Sequence, residues 1–297
     1  MIPGGDDRAP SRGQSVEEPR LPGRCSPRRT IAPVLRVITW NLNSIRTRRR
    51  RLFGLLERHA PDVLCLQELR APAEVFPTLR LAEAGYHAVV HAQAARNGVA
   101  VIARQKPRLL QRGLPPCRKR KEARFLDCSV AGIRILTAYV PNGKSPRHPD
   151  WAYKLAWLTA LRDHLDTRAD PGEPLLLCGD FNVAPSDRDD ASPNPGGVLC
   201  HPSGRSALAR LVRFGLADAY RLLWPEGEEP AKGIYTWWDY TRLSFARNDG
   251  ARIDHVYLTK PLAGVLRACF VDRDERRQRR GQDIPSDHAP VICDLAR

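Results

Sequence analysis

From Val34 onward, short apolar runs alternate with segments of helical periodicity. Apolar runs of four to eight residues are typical of buried strands, and apolar residues at i, i+3 and i+4 are typical of helices that pack on one face. Helices are predicted over 47–60, Trp151 to Leu165, and 206–220. Strands are predicted over 34–43, 61–68, 86–92, 97–104, the two arms of a hairpin over 122–141 that turns near Ala131 and Gly132, 174–182, 252–259, 265–272 and 289–295.

Many short strands interrupted by a few helices favour sheets packed on sheets, with the helices outside. Two of the strands, "ITWNLN" and "LLCGDFN", each end in Asn, so these ends could face each other at one rim of a double sheet. Residues 1–33 differ in kind, because they hold six Pro and four Gly with almost no apolar periodicity. We expect a disordered tail over 1–33 and one catalytic domain over 34–297.

The net charge indicates the kind of molecule that the protein binds, and the cysteines indicate its cellular compartment. The formal net charge is +15 and the pI about 9.9, which favours a polyanion such as nucleic acid or an anionic membrane surface. None of the eight cysteines sits in a CxxC pair or at zinc-ligand spacing. Cys65, Cys178 and Cys293 fall in apolar segments, as expected of free thiols in a reducing cytosol. We therefore expect a cytoplasmic protein.

Polar side chains follow the apolar runs where the predicted strands end. A side chain there is held rigidly yet can reach a substrate. Carboxylate and amide oxygens suit Mg²⁺, whereas no His/Cys cluster offers a zinc site. A metal that polarises a phosphoryl oxygen, with a base that activates water, would hydrolyse a phosphodiester. The set is Asn41, Asn43, Glu68, Tyr139, Asn142, Asp180, Asn182, Asp254, Asp287 and His288.

Most members of this set also have a plain structural interpretation. Glu68 could cap the next segment, Asp180 could belong to a turn, and His288 could be a satisfied turn histidine. Asp254 is different, because a carboxylate inside an apolar strand is rarely tolerated without a cation or a metal. His255 would point to the opposite face of that strand, so we expect it to be structural.

Seven motifs, taken together and in order, are similar to those of the exonuclease III class of abasic-site endonucleases, within the endonuclease/exonuclease/phosphatase superfamily. The resemblance runs from about Val34 to Leu295, and seven motifs in the right order are far more specific than any one of them. The motifs are "ITWNLNSIRTR", "DVLCLQELR", "YVPNG", "LLLCGDFNVAPSDRD", "YTWWDY", "RIDHVYL" and "PSDHAPV".

The resemblance implies a four-layer α/β sandwich, in which two mixed β-sheets lie face to face and are flanked by helices. It implies a hydrolase that uses Mg²⁺, or Mn²⁺ in its place, to cleave DNA 5′ to an abasic site. It also implies 3′-phosphodiesterase and 3′→5′ exonuclease activity in base excision repair. The implied partner is double-stranded DNA with abasic sites or blocked 3′ ends. We expect no membrane partner, a monomer, and association with the nucleoid through DNA.

The resemblance also implies roles for individual residues. Asp180 would orient or deprotonate the attacking water. His288, held in orientation by Asp254, would bind a non-bridging phosphate oxygen or act as a base. Trp237 would form a wall for the extruded sugar. The implied catalytic residues are Tyr139, Asp180, Asn182, Asp254 and His288. The implied metal ligands are Asn41, Glu68, Asp180, Asn182, Asp287 and His288. The implied substrate-binding residues are Asn43, Asn142, Trp237 and Ile253.

The chain departs from the family's pattern in a few places. Ser44 stands where the family usually has Gly, which we interpret as a tolerated helix-capping change. Arg70 keeps the charge of the usual Lys, and the loop near Asp189 lacks the usual apolar residues. Of the basic runs Arg48 to Arg51, Arg118 to Lys121 and Arg276 to Arg280, we expect the last to contact phosphate, because it precedes "DIPSDHAPV".

Two other functions remain open from the residues. One is a phosphatase or sphingomyelinase-type phosphodiesterase that acts on inositol lipids or membranes, which the basic charge alone does not exclude. The other is a DNA-binding protein without catalysis. A role in binding alone does not require Glu68, Asp180, Asn182, Asp254 and His288 together, so hydrolysis is the favoured function.

Overall fold

The computed structural model describes Met1 and residues 34–115, 122–230, 234–279, 281 and 283–297. The predicted tail after Met1 and the basic run Arg118 to Lys121 therefore lie outside the described residues. Pro33–Arg297 forms one compact unit. The domain boundary at 33/34 stays a prediction. None of the described helices is long and apolar enough to cross a membrane.

Two six-stranded mixed sheets form the centre of this unit. In spatial order the first sheet contains β11 (Leu266–Val271), β12 (Val291–Ala296), β1 (Val34–Asn41), β2 (Val63–Gln67), β4 (Val99–Ala103) and β3 (His87–His91). The second contains β5 (Arg108–Arg112), β6 (Phe125–Val130), β7 (Ile133–Tyr139), β8 (Leu175–Asp180), β10 (Asp254–Thr259) and β9 (Leu216–Asp218). Each sheet has one parallel pair, β1 with β2 and β7 with β8, and the other pairs are antiparallel.

Helices flank the two sheets. They are α1 (Arg49–His59), α2 (Thr78–Glu83), α3 (Pro149–Arg168), α4 (Pro202–Val212), α5 (Ala219–Leu223), α6 (Ser244–Arg247) and α7 (Lys260–Ala263). Alternate residues of the strands enter different cores: in β1, Val37 joins the core shared by both sheets and Ile38 joins the core under α1. A third core packs α3 and α4 on the second sheet. Because the central strands are buried on both faces, they read as continuous apolar runs. The expected four-layer sandwich is confirmed.

The helix predicted over 206–220 is wrong in its second half. Helix α4 ends at Val212, and the chain turns at Gly215, whose φ of +116° is in the region that favours glycine. Residues Leu216–Asp218 then pair with β10 as β9, and the Asp218 side chain caps α5 by accepting bonds from two main-chain N–H groups. Strand β5 and helix α2 were not predicted. Strand β5 is an edge strand that is mostly exposed, so it has no apolar run.

Candidate active site

The ends of strands from both sheets meet at one rim of the sandwich. Asn41 ends β1 and Asp180 ends β8, and the Asn41 amide donates to Asp180 Oδ2 over 2.9 Å. Tyr139 pairs with Asp180 in parallel register, and Asp254, the first residue of β10, lies opposite Asp180 on its other side. The two Asn-terminated strand ends thus face each other, as the sequence predicted.

Gly179 allows β8 to approach β7 closely beneath this rim. Its φ is +139°, and a Cβ atom placed there would lie 1.9 Å from the carbonyl oxygen of Ala138. Any side chain would therefore push apart the strands that carry Tyr139 and Asp180. The Gly of the "GDFN" motif is needed for the spacing of the site.

Glu68 lies at the centre of a hydrogen-bonded group. Its Oε1 accepts from the Asn41 amide over 2.9 Å and from the Tyr139 hydroxyl over 2.7 Å. Its Oε2 accepts from Nε of Arg70 over 2.7 Å. Burial, followed by the charges of Glu68 and Asp180, raises the pKa of Tyr139 well above its usual value, so the phenol stays neutral and donates.

His288 is buried between two carboxylates. Its Nδ1 donates to Asp254 Oδ2 over 2.8 Å, and its Nε2 lies 3.9 Å from Asp180 Oδ2. Burial alone would lower the pKa of His288, but Asp254, followed by Asp180 and Asp287, raises it to about 10. The imidazole is therefore a cation at neutral pH, with Nε2 directed at the cleft.

Asp180 and Asn182 act as a pair. Asn182 donates from its main-chain N–H to Asp180 Oδ1 over 2.9 Å and from its side-chain amide to the Val140 carbonyl over 3.1 Å. Burial raises the pKa of Asp180 to about 7, while the charge of His288 acts in the opposite direction. A carboxylate of that pKa is suited to accept a proton from water near neutral pH.

Asp287 is held by both of its oxygens. The Asn43 amide donates to Oδ1 over 2.7 Å, and the Trp237 indole donates to Oδ2 over 3.1 Å. Burial would raise the pKa of Asp287, but His288 and these two donors lower it, so the carboxylate stays charged. The neighbouring Asp287 and His288 thus have different partners: His288 bonds Asp254, and Asp287 accepts from Asn43.

A cleft joins these groups. The Trp237 side chain lines it and Trp238 is fully buried in the core, so one of the two tryptophans serves packing alone, as expected. The sequence did not single out Val198 and Leu199, which follow a loop without apolar periodicity and therefore gave no signal. The residues that line the cleft are Glu68, Tyr139, Asn142, Asp180, Asn182, Val198, Leu199, Trp237, Ile253, Asp287 and His288.

The predicted site residues are brought together. Asn41 and Asn43 do not line the cleft but contact residues that do, and Asn142 donates to Asn182 Oδ1 over 3.0 Å. His255 packs on the other side of β10, where Nε2 contacts the Val183 carbonyl over 3.0 Å, as expected of a structural residue. Three predicted residues adopt the left-handed backbone conformation that is rare outside glycine, a form of strain that clusters at functional sites. They are Asn43, Glu68 and Asn182.

The residues of the cleft fit a hard divalent cation. A carboxylate oxygen of Asp180 and one of Asp254 lie within 4.8 Å of each other. Oδ1 of Asp254 is buried and has no hydrogen-bond partner among the described residues. With Glu68 and the amides beside them, the donors are mainly oxygen, which suits Mg²⁺ or Mn²⁺ better than zinc.

One basic run differs from the expectation. Arg276 is buried, and its guanidinium donates to the Trp238 carbonyl over 3.3 Å and lies over the Tyr240 ring. Its charge is used inside the protein and is not presented to a phosphate. Arg277 and Arg279 of the same run are exposed.

Comparisons with known proteins agree with this geometry. The sequence profile of the Endonuclease/Exonuclease/phosphatase family matches residues 38–288. Exodeoxyribonuclease III of Haemophilus influenzae is 30% identical over 274 residues, which cover 88% of this chain and 100% of that protein. The DNA repair nuclease APEX1 of Danio rerio is 27% identical over 296 residues, covering 96% and 91% of the two chains.

Solved structures are similar over the same part of the chain. The 3′ phosphatase NExo from Neisseria, bound to a product DNA hairpin, has a TM-score of 0.80 and 34% identity, over 88% of this chain and 99% of that one. An AP endonuclease from Archaeoglobus fulgidus has a TM-score of 0.81 and 32% identity, over 88% and 99%. The chain therefore belongs to the endonuclease/exonuclease/phosphatase family and, within it, to the exonuclease III type of nuclease.

Proposed function

We propose that this nuclease hydrolyses the DNA backbone on the 5′ side of abasic sites, removes blocked 3′ ends and degrades 3′ ends exonucleolytically, in base excision repair. The observation that carries the proposal is the placement of Asp180 between cationic His288 and the Glu68 group. This cleft combines a proton acceptor, a cation and metal ligands at one point. Mg²⁺ is the proposed metal, with Mn²⁺ able to replace it.

The residues of the chain would divide the reaction as follows. Asp180 would orient the attacking water and take its proton, since its raised pKa suits a base near neutral pH. His288, held by Asp254, would donate from Nε2 to a non-bridging phosphate oxygen. The amides of Asn182 and Asn142, together with the Tyr139 hydroxyl, would complete the phosphate contacts.

The metal ligands proposed here are Glu68, Asp180 and Asp287, with the amides of Asn41 and Asn182 beside them. His288, which the resemblance also implies as a ligand, carries a proton on both ring nitrogens and has no lone pair for a metal. When bound, the metal would polarise a phosphoryl oxygen and stabilise negative charge on the leaving group. The apolar residues that line the cleft would receive a sugar without a base; they are Val198, Leu199, Trp237 and Ile253. Such a nucleotide is the easiest to extrude, because it has already lost its pairing and stacking.

The test is incision of a duplex that carries one abasic analogue, with Mg²⁺ and with EDTA. We expect a Mg²⁺-dependent nick 5′ to the lesion, reduced on the order of 10²- to 10⁴-fold in Asp180→Asn and in His288→Ala. Asp163→Asn and His87→Ala, at exposed positions outside the cleft, are the matched controls. Unchanged incision by the Asp180 variant would refute its role.

A second candidate function is the removal of 3′-phosphates from DNA ends. The Neisseria 3′ phosphatase favours it, because this chain is about as similar to that enzyme as to the Archaeoglobus AP endonuclease. A duplex ending in a 3′-phosphate, run beside the abasic duplex, separates the two. Release of phosphate without a nick at the abasic analogue would assign the chain to 3′-end processing alone.

A further inference from the structure

Lys154 of α3 is buried directly behind the candidate active site. Its exposed fraction is 0%, and in the described part of the chain no carboxylate pairs with it. Helix α3 places it on its packed face, in line with the buried Trp151, Leu158 and Leu161. Lysine is almost never fully buried without a partner, so the position calls for a specific explanation.

The partners of Lys154 are three main-chain carbonyl groups. Nζ donates to the carbonyl oxygen of Asn182 over 2.6 Å, to that of Val198 over 3.1 Å and to that of Asn142 over 3.2 Å. An ammonium group has three N–H donors and no acceptor, so three carbonyls satisfy it completely. A neutral amine has only two N–H donors and would leave one carbonyl unpaired.

The Trp151 ring and the charge of Asp180 favour the ammonium form of Lys154, and burial opposes it. Nζ lies 5.1 Å from the centre of the Trp151 ring, within the range of a cation–π interaction. Burial lowers the pKa of Lys154 to about 7, and the charge of Asp180 acts in the opposite direction.

The three carbonyls belong to three separate segments that meet at the cleft. Asn142 follows β7, Asn182 follows β8, and Val198 lies in the loop before α4. Each of these residues lines the cleft. The amides of Asn142 and Asn182 are also bonded to each other, so a shift of either backbone segment would move both.

We propose that Lys154 is a positioning residue, which joins these three backbone segments through one ammonium group and thereby sets the Asn142 and Asn182 amides at the phosphate. The link to phosphate rests on the proposed function; the joining of the segments does not. Lys154 itself touches no substrate and acts through the two amides. A lysine that only filled space in the core would be replaceable by methionine without effect on the reaction.

A double-mutant cycle tests the link to the reaction. Lys154→Met keeps the length of the side chain and removes the three donors. We expect kcat for the abasic duplex to fall by about 10²-fold with little change in KM, because small displacements of catalytic groups are this costly. In an Asn182→Ala background the same substitution should cost much less, because the amide it positions is gone. Lys260→Met, at an exposed position on α7, is the matched control.

Hydrogen exchange tests the joining of the segments without any reaction. In Lys154→Met, residues 140–143, 181–184 and 196–200 should all exchange faster than in Lys260→Met. If Lys154→Met does not fold, Lys154→Gln, which keeps two N–H donors, carries the same measurements.

The two experiments test the positioning role of Lys154 separately from the proposed cleavage at abasic sites. Unchanged exchange in the three segments, a kcat within about twofold of the wild type, or additive effects in the cycle would overturn the positioning role. Faster exchange in a protein whose wild type does not nick the abasic duplex would support the joining of the segments and refute the proposed substrate.

Discussion

Ser44 has an unfavourable backbone conformation beside the site. Its φ is +91°, and its N–H donates to the Glu68 carbonyl over 2.8 Å, so it forms part of the turn that holds Glu68. Helix α1 begins at Arg49 with Arg48 as its N-cap residue, so the helix-capping interpretation of Ser44 is wrong. A non-glycine residue in this region costs on the order of 1 kcal/mol.

Ser44→Gly should therefore stabilise the protein. We expect the free energy of unfolding to rise by about 0.5–1 kcal/mol, since the relief of strain exceeds the added entropy of the unfolded chain. The measurement is urea unfolding followed by circular dichroism. Ser206→Gly, the same change inside α4, should lower stability by a similar amount. A loss of stability in both variants would mean that Ser44 is unstrained.

At the level of single residues, the sequence predicted the polar site residues at the strand ends but not Lys154, which binds the backbone behind them. The strand-end residues were recognisable because each is polar and directly follows a run that must be buried. Lys154 was not, although its spacing from Trp151, Leu158 and Leu161 places it on an apolar helix face. Its partners are backbone carbonyls, which no residue type reveals.

The start of strand β10 is joined to its neighbours by a buried ionic network. Arg252 donates to Asp189 over 2.7 Å and to Asp218 over 2.7 Å, and thereby ties the loop after β8 and strand β9 to β10. Its guanidinium also lies 3.2 Å from Nδ1 of His255. His255 must therefore be neutral, with Nδ1 accepting from Arg252 and Nε2–H donating to the Val183 carbonyl.

This network predicts a loss of stability in mild acid. Burial, followed by the charge of Arg252, lowers the pKa of His255 from 6.5 to about 4. Because the folded state binds this proton less readily than the unfolded state, the stabilisation is complete above pH 6.5 and is lost as pH falls towards 4. Between pH 7 and 4.5 the loss should be about 2 kcal/mol.

Urea unfolding of the wild type and of His255→Gln at both pH values isolates this group, because the other titrating residues are common to both proteins. The wild type should lose about 2 kcal/mol more than the variant on acidification. Equal losses would show that the pKa of His255 is the same in the folded and unfolded states.

Elements with a strong apolar pattern were predicted, and elements defined by their neighbours were not. Strands β1, β2 and β8 are buried on both faces and read directly from the sequence. Strand β9 is three residues long and exists because β10 offers it an edge, and β5 is an exposed edge strand. Their apolar content is too small to distinguish them from helix or loop.

The whole molecule carries less free positive charge than its composition suggests. Among the described residues, four arginines are buried and hydrogen-bonded inside the protein, including two members of the first basic run. Arg51 donates to Glu275 and to main-chain carbonyls, and Arg48 donates to the main-chain carbonyls of Asn43 and Pro285. The buried arginines are Arg48, Arg51, Arg252 and Arg276. Of the described arginines, those at exposed positions, such as Arg277 and Arg279, remain available to DNA.

Binding of the abasic duplex should therefore weaken as salt is added, with log Kd rising linearly with the logarithm of the salt concentration. If Arg279 contacts a phosphate, Arg279→Gln should lower the slope by about 0.9, because one counterion fewer is released. Arg213→Gln, at an exposed position beside α4, should leave the slope unchanged. Fluorescence anisotropy with EDTA measures both, and equal slopes would remove Arg279 from the contact surface.

The hydrogen bond between Asn41 and Asp180 links the active site to the docking of the two sheets. Strand β1 belongs to one sheet and β8 to the other, so the site is completed only when the two sheets are docked in register. A partly folded chain with a single sheet holds half of the donors and cannot cut. Turnover is thus a readout of docking between the two sheets.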